Sequence, residues 1–224
     1  MQTLAVDTVV LDVDGTLVDS VYAHVQVWLQ AFHDIGTDVP AWRVHRAIGM
    51  GGDRIVTELA GQRVEDALGD EVRSLHGDHY EKLMHLVRAL PGADDLLAML
   101  RKLGFQVVLA TSGSREEIDR ALDLLAASHR ATALVTSEEV TASKPAADLV
   151  SAALDRAGST RAIMVGDSVW DVGAARRAGL STIGLRSGGF GDHELLQAGA
   201  IAVFDDPAEL VSRFDELDVE LAAR

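Results

Sequence analysis

Two aspartates, Asp12 and Asp14, stand two residues apart at the end of an apolar run and are followed by Gly15 and Thr16. Alternate residues of a strand point to the same side, so the two carboxylates can share one site even where the chain begins to turn. Carboxylates that close repel unless a proton or a cation intervenes, and a hard divalent ion with oxygen ligands, Mg2+ above all, is the natural partner. Gly15 allows a sharp backbone turn, and Thr16 offers a hydroxyl that can bind an anion or brace the loop. An acidic turn at a strand end is also common without chemistry, so the pair has to be weighed with the rest of the chain.

Three other strings carry suitable groups. Thr111-Ser112 lies between an apolar run and a helical one. There a hydroxyl, backbone N–H groups and the positive end of a helix can hold a phosphate, or the residues can simply cap the helix. Lys144-Pro145 places one of only three lysines before a helix, with proline favouring an extended Lys144. A compact ammonium at that point would offset charge on phosphoryl oxygens. Gly166-Asp167-Ser168-Val169-Trp170-Asp171 puts two acids after another apolar run. Asp171 alone reads as an ordinary helix-start acid, whereas Asp167 projects from the same sheet edge as Asp12.

The elements that must position these groups follow from periodicity. Residues 8–11 are β-branched or apolar and suit a strand buried on both faces of a parallel sheet, whose C-terminal edge binds ligands. Residues 20–32 repeat apolar side chains at helical spacing. Further helices are expected over about 40–48, 55–59 and 64–86, with a glycine-rich turn at 49–54 between them and no strand from 20 to 88. From Pro91 the pattern alternates: helix 93–103, strand 105–110, helix 115–125, strand 133–136, helix 146–157, strand 161–165, helix 171–178, strand 181–185 and strand 200–204. The acidic stretch from Arg213 onward is expected to be a solvated end helix. The expected fold is α/β: a Rossmann-like parallel sheet core with helices on both faces, residues 1–17 and 89–224, interrupted by an inserted α-helical segment, residues 18–88.

Composition narrows the function. The 224 residues are 48% hydrophobic and contain no cysteine, which removes disulfides, thiolate nucleophiles and cysteine zinc sites. A formal net charge of −15 disfavours nucleic acid. No run reaches membrane-spanning length, and residues 1–3 lead straight into a first strand, so a cytoplasmic protein without a membrane partner is expected. No interface pattern is visible, and a monomer is expected.

The strings Asp12-Val13-Asp14-Gly15-Thr16-Leu17-Val18-Asp19-Ser20, Thr111-Ser112, Lys144-Pro145 and Gly166-Asp167-Ser168-Val169-Trp170-Asp171 resemble, in order and spacing, the four motifs of the haloacid dehalogenase superfamily in its phosphatase and phosphomutase branch. The resemblance implies that Asp12 is the nucleophile that becomes a phosphoaspartate and Asp14 the general acid and base. It implies that Thr111, with Ser112, holds the transferring phosphoryl group, and that Lys144 bridges nucleophile and phosphate. Asp12, the backbone carbonyl of Asp14 and Asp167 would ligate Mg2+, with Asp171 as a ligand through water or a brace. The second acid argues against dehalogenation, since haloacid dehalogenases lack it and use no Mg2+. The helical insertion corresponds to the family's mobile cap. Its turn around Gly51, Gly52 and Arg54 is the candidate specificity loop, and Ser114 and Arg115 face the same direction. The eight histidines read as surface or packing residues, and Trp28 and Trp42 as cap core.

The function expected is Mg2+-dependent hydrolysis of a small phosphorylated metabolite such as a sugar phosphate or phosphoglycolate. The alternative within chemistry is a β-phosphoglucomutase-like enzyme, although such mutases carry a basic residue where this chain has Gly52. A phosphonatase would need a Schiff-base lysine in the cap, where Lys82 stands without a supporting motif. A catalytically silent binding protein would have lost one of Asp12, Asp14, Thr111, Lys144 or Asp167, and all are present.

Overall fold

Strand Thr8–Leu11 lies at the heart of the molecule because every one of its side chains is buried, on both faces. The computed structural model describes residues 4–126, 128–217 and 219–221; the start of the first strand expected at residues 1–3 and the end of the helix expected at 222–224 lie outside them. In chain order the elements are β1 (Leu4–Val6), β2 (Thr8–Leu11), β3 (Val18–Asp19), α1 (Val21–Asp34), α2 (Ala41–Ala47), α3 (Gly52–Ala60), α4 (Gln62–Leu83) and β4 (Arg88–Ala89). They continue with α5 (Ala93–Lys102), β5 (Gln106–Ala110), α6 (Arg115–Leu122), β6 (Ala133–Val135), α7 (Asp148–Ala157), β7 (Ala162–Gly166) and α8 (Val169–Arg177). β8 (Ser181–Leu185), α9 (Asp192–Ala198), β9 (Ala202–Phe204), α10 (Pro207–Ser212) and β10 (Val219–Leu221) complete the chain.

The main sheet is six-stranded and parallel, in the order β6-β5-β2-β7-β8-β9. The chain builds outward from β2 through β5 to β6, then returns to β7 on the other side, so the strand order reverses beside β2. The crevice at such a reversal, above the C-terminal strand ends, is where open α/β sheets bind ligands. Alternation splits the core by face. Val9 and Leu11 pack with Leu96, Leu97 and Leu100 of α5 and Ile118 of α6, whereas Val10 packs with Leu149 and Ala153 of α7.

Helices α1 to α4 form an apolar cluster around Trp28, Phe32, Val44, Ile55, Val56 and Val72, while Val27 of α1 and Tyr80 of α4 pack into the sheet's own cluster. They enter and leave the sheet unit through two short strands, β3 and β4, paired antiparallel as Val18 with Ala89 and Asp19 with Arg88. The architecture is therefore the expected Rossmann-like core with an inserted helical cap. The two-residue β4 is too short to read from periodicity.

Two expectations are corrected. Among the described residues the C-terminal stretch forms no end helix: residues 214–216 make one tight turn, and β10 then pairs in parallel with β1. Its apolar residues hold it to the core, since Phe214 packs edge-on against Phe105 at 6.3 Å and Leu217 and Val219 join the same cluster. Trp42 is 69% exposed rather than packed. Helix α2 is short and buries Val44 and Ala47, and Trp42 stands about half a turn away from Val44.

Candidate active site

Three strand ends and one loop meet above the sheet. Asp12 directly follows β2, its N–H donating to the Val165 carbonyl of β7 at 3.0 Å. It is 4% exposed. The Lys144 ammonium, 1% exposed, donates to Asp12 Oδ1 and lies 2.7 Å from Asp171 Oδ1. Asp171 Oδ1 is buried, and the ammonium is its ion-pair partner. Asp171 Oδ2 accepts from the Ser168 hydroxyl at 2.6 Å and from its N–H at 3.1 Å, which fixes the start of α8 and aims Oδ1 at the lysine. The Lys144–Pro145 peptide is cis.

Asp167, after β7, accepts from the Thr16 hydroxyl at 3.1 Å. Two glycines let the backbone press against it. Gly15 has φ +75°, and a Cβ there would stand 2.5 Å from Asp167 Oδ2; at Gly188 it would stand 1.7 Å away. Neither position can carry a side chain while Asp167 keeps its place.

Oxygens of Asp12, Asp167 and Asp171 all lie within 4.8 Å of one another, and all three residues are buried. Burial, and after it the neighbouring Asp171 and Asp12 charges, push Asp167 well above the usual carboxylate range. Asp12 is also raised, by burial first; Lys144 pulls the other way, and Asp171 and Asp14 add to the rise. For Lys144 the cost of burial is outweighed by Asp12 and Asp171, so its pKa rises. Ionising all three carboxylates against one ammonium would leave two negative charges unbalanced, which is why burial and mutual repulsion raise Asp167 and Asp12. The site thus fits a divalent cation in charge as well as in its hard oxygen donors.

Asp14 sits on the cavity side with its carboxylate turned toward the helical insert. Its Oδ1 accepts from the Ser20 hydroxyl at 2.6 Å and lies 3.2 Å from His24 Nε2. Behind it His24 Nδ1 is 3.1 Å from His76 Nε2, and His76 Nδ1 is 3.4 Å from Glu117 Oε1. Glu117 in turn accepts at Oε2 from the Ser114 N–H and hydroxyl, both at 2.9 Å. The shifts agree on one proton arrangement. Burial opposes the charge on Asp14 and Glu117, but the His24 charge and hydrogen bond lower Asp14, and His76 with the Ser114 backbone lowers Glu117 to about 2. Burial also works against a charged His24, yet Asp14 raises it; His76 is lowered, chiefly by burial. A protonated His24 donates to both Asp14 and a neutral His76, which donates to the Glu117 carboxylate. The rings are clamped from the sides, His76 stacked on Trp28 at 4.2 Å and His24 on Tyr80 at 4.1 Å.

His24, His76, Glu117 and Tyr80 line the cavity and were not singled out by the sequence reading; His24 and His76 are packing histidines, as expected, but not scattered, since they join in one chain of contacts to Asp14. One signal was available: His24 lies on the apolar stripe of α1 with Val21, Val25 and Trp28, where a polar ring needs a buried partner. His76 and Glu117 gave none, being far from Asp14 in sequence.

Asp12, Asp14, Thr111 and Ser112 line one cavity of about 590 Å³ together with His24, Trp28, His76 and Tyr80 from the insert. Thr111 is 1% exposed and its hydroxyl accepts from the Gly113 N–H at 3.0 Å. Helix α6 is capped by Ser114, not by Thr111 or Ser112, through a reciprocal bond with Glu117. The Ser112 hydroxyl donates to the Gly49 carbonyl at 3.2 Å and the Gly51 N–H to the Ser143 hydroxyl at 3.0 Å, so the glycine turn rests on the strand-end loops. Gly52 and Ser114 line the cavity, while Gly51, Arg54 and Arg115 do not. Arg54 Nε is 3.8 Å from Asp53, and Arg115 pairs with Asp119 at 2.9 Å on the surface.

A family model described as haloacid dehalogenase-like hydrolase matches residues 6–179. Among solved structures, a hydrolase from Pseudomonas syringae superimposes with a TM-score of 0.87 at 36% identity, covering 93% of this chain and 98% of that one. Phosphoglycolate phosphatase of Pseudomonas putida is 29% identical over 80% of this chain and 69% of its own length. Validoxylamine A 7'-phosphate phosphatase of Streptomyces hygroscopicus subsp. limoneus is 27% identical over 78% of this chain and 83% of its own.

Proposed function

The chain belongs to the haloacid dehalogenase-like hydrolases, and we propose that it is a Mg2+-dependent phosphatase that hydrolyses a small phosphate monoester through an aspartyl-phosphate. The observation that carries this reading is a carboxylate, Asp12, that lines a cavity shared with Thr111 and Asp14 and is paired with a buried ammonium, Lys144.

In the first step Asp12 attacks phosphorus while the ester bond to the leaving oxygen breaks, and Asp14 passes to that oxygen the proton it shares with His24, leaving His24 neutral until the second step returns the proton. Water then attacks the acyl phosphate, with Asp14 taking the proton and Asp12 leaving as a carboxylate. Lys144 holds Asp12 in position and offsets negative charge on the phosphoryl oxygens. Thr111 and Ser112 supply hydrogen bonds to the same oxygens. Asp12, Asp167 and the Asp14 carbonyl would hold Mg2+, with Asp171 supporting, and the ion would contribute charge neutralisation at the phosphoryl group. His24, with His76 and Glu117 behind it, sets the orientation and proton content of Asp14. Residues 18–88 act as the cap, excluding water and choosing the leaving group.

The test is phosphate release from a panel of phosphorylated metabolites with and without Mg2+, for the wild type and Asp12→Asn. Selective, Mg2+-dependent release that falls at least about 10⁴-fold in the variant is expected. Isomerisation of a sugar 1-phosphate without release would transfer the assignment to a mutase. Absence of any reaction by a folded protein would sink the catalytic reading.

A further inference from the structure

The leaving-group side of the cavity is acidic, and its cations are already engaged. Besides Asp12 and Asp14, six carboxylates line it. Asp53 is held by Ser143, Glu117 by Ser114 and His76, and Glu138 by the Arg115 N–H. Glu81 and Glu116 share one guanidinium and Asp78 is exposed, so that the lining keeps an excess of negative charge. Two guanidiniums, Arg73 and Arg120, stand against them. Arg73 binds Glu65 at 2.9 Å, Asp70 at 2.8 Å and the Gly52 carbonyl at 3.0 Å. Arg120 binds Glu81 at 3.1 Å and Glu116 at 2.8 Å. The two histidines of the lining have both ring nitrogens engaged in the chain between Asp14 and Glu117. Lys144 is buried behind Asp12 rather than presented to the leaving group.

We infer, on the phosphatase reading above, that the preferred substrate is the phosphate monoester of a hydroxylated alcohol with no second anionic group, and that an amine on that alcohol improves it. Ionised carboxylates accept hydrogen bonds and cannot donate them, so hydroxyl and ammonium groups are complementary to this wall. A carboxylate or second phosphate would meet repulsion and no uncommitted cation. The transferring phosphate itself is served separately by Lys144, Thr111 and the cation site on the strand-end side. The chain is therefore expected to discriminate against phosphoglycolate, although several of its relatives are named phosphoglycolate phosphatases.

Glucosamine 6-phosphate, glucose 6-phosphate and 6-phosphogluconate present a cation, a neutral group and an anion on comparable skeletons. Each is assayed for phosphate release and as a competitor of p-nitrophenyl phosphate hydrolysis by the Mg2+-loaded full chain, so a poor substrate still reports binding. The expected order in kcat/KM and in competition is amine, then neutral sugar, then carboxylate, with at least about tenfold between first and last. The spread should shrink at high ionic strength, because the wall is solvent-accessible. Asp78→Lys, which reverses an exposed wall charge, should improve the carboxylate relative to the amine. Equal response to all three, or preference for 6-phosphogluconate or phosphoglycolate, overturns the inference while p-nitrophenyl phosphate hydrolysis leaves the phosphatase reading standing. Loss of even that hydrolysis, with Asp12→Asn no worse than the wild type, overturns both.

Discussion

The two walls of the cavity treat charge in opposite ways. On the strand-end side Asp12 lines the cavity, and it and the adjoining Asp167, Asp171 and Lys144 are almost wholly buried, each fixed by neighbours that leave it one geometry. On the helical side the acids are mostly exposed and pair in ordinary surface fashion, as Arg120 does with Glu81 and Glu116. Between them runs the chain Asp14, His24, His76 and Glu117, which starts at a strand end, crosses two helices of the insert and finishes on α6. Burial makes the first wall a place where one charge changes everything, and solvent makes the second a place where charges act as a sum.

Substitutions on the buried wall should therefore produce the largest effects. Lys144→Met removes the ammonium between Asp12 and Asp171 and should lower kcat by about 10²–10³-fold. Breaking a buried pair also costs about 3–5 kcal/mol, so denaturant unfolding should register the change unless cation loading compensates. Comparing unfolding with and without Mg2+ separates the two contributions, since a cation that binds only the folded state restores stability.

The connecting chain should respond next. His24→Phe keeps a ring against Tyr80 but removes the donor to Asp14, and kcat should fall about 10²-fold while KM for a small substrate moves little. The acid limb of the kcat profile should shift upward in pH, because Asp14 loses the partner that holds its pKa down. A His24→Phe enzyme with an unchanged profile would remove the histidine from the acid-base machinery.

The smallest expected effect lies at the far end. Glu117 is held at about 2, below its ordinary value of 4.5, so its pairing stabilises the fold fully above about pH 4.5 and that contribution fades as pH falls toward 2. Glu117→Gln should flatten the acid side of the stability curve in that window, as followed by denaturant midpoints, and should alter turnover less than His24→Phe does.

The strand-end wall was legible because strand periodicity and chemistry coincide there: an apolar run that ends in an acid, a hydroxyl or a glycine states both the element and its ligand-binding edge. Thr8–Leu11, Gln106–Ala110 and Ala162–Gly166 all announced themselves this way, and Ser181–Leu185 was read to the residue. The helical wall resisted the same reading. His24 is a polar ring on an apolar stripe, but its partner is on α4 and that partner's partner is on α6, contacts that no local pattern encodes. Short elements fixed by tertiary contacts escaped as well: β4 has two residues, α9 follows a glycine-rich turn, and β10 exists by pairing with β1. Arg54 looked suitable by composition alone, and its side chain stands outside the cavity.

The β3–β4 ribbon gives the molecule a modular architecture. Val18 faces Ala89 and Asp19 faces Arg88, and the Leu90 N–H donates to the Leu17 carbonyl at 2.9 Å. Everything between these crossings leaves and rejoins the sheet unit at neighbouring points, so it can be excised or exchanged without rethreading a single parallel strand. A two-residue turn suffices to close such a pair. A graft at this junction would carry away His24 and His76 with Asp53, Asp78 and Glu81 of the cavity lining, yet leave Asp12, Thr111, Glu117, Lys144, Asp167 and Asp171 on the same continuous frame. Lineages sharing that frame can thus acquire new leaving groups by replacing one excursion of the chain.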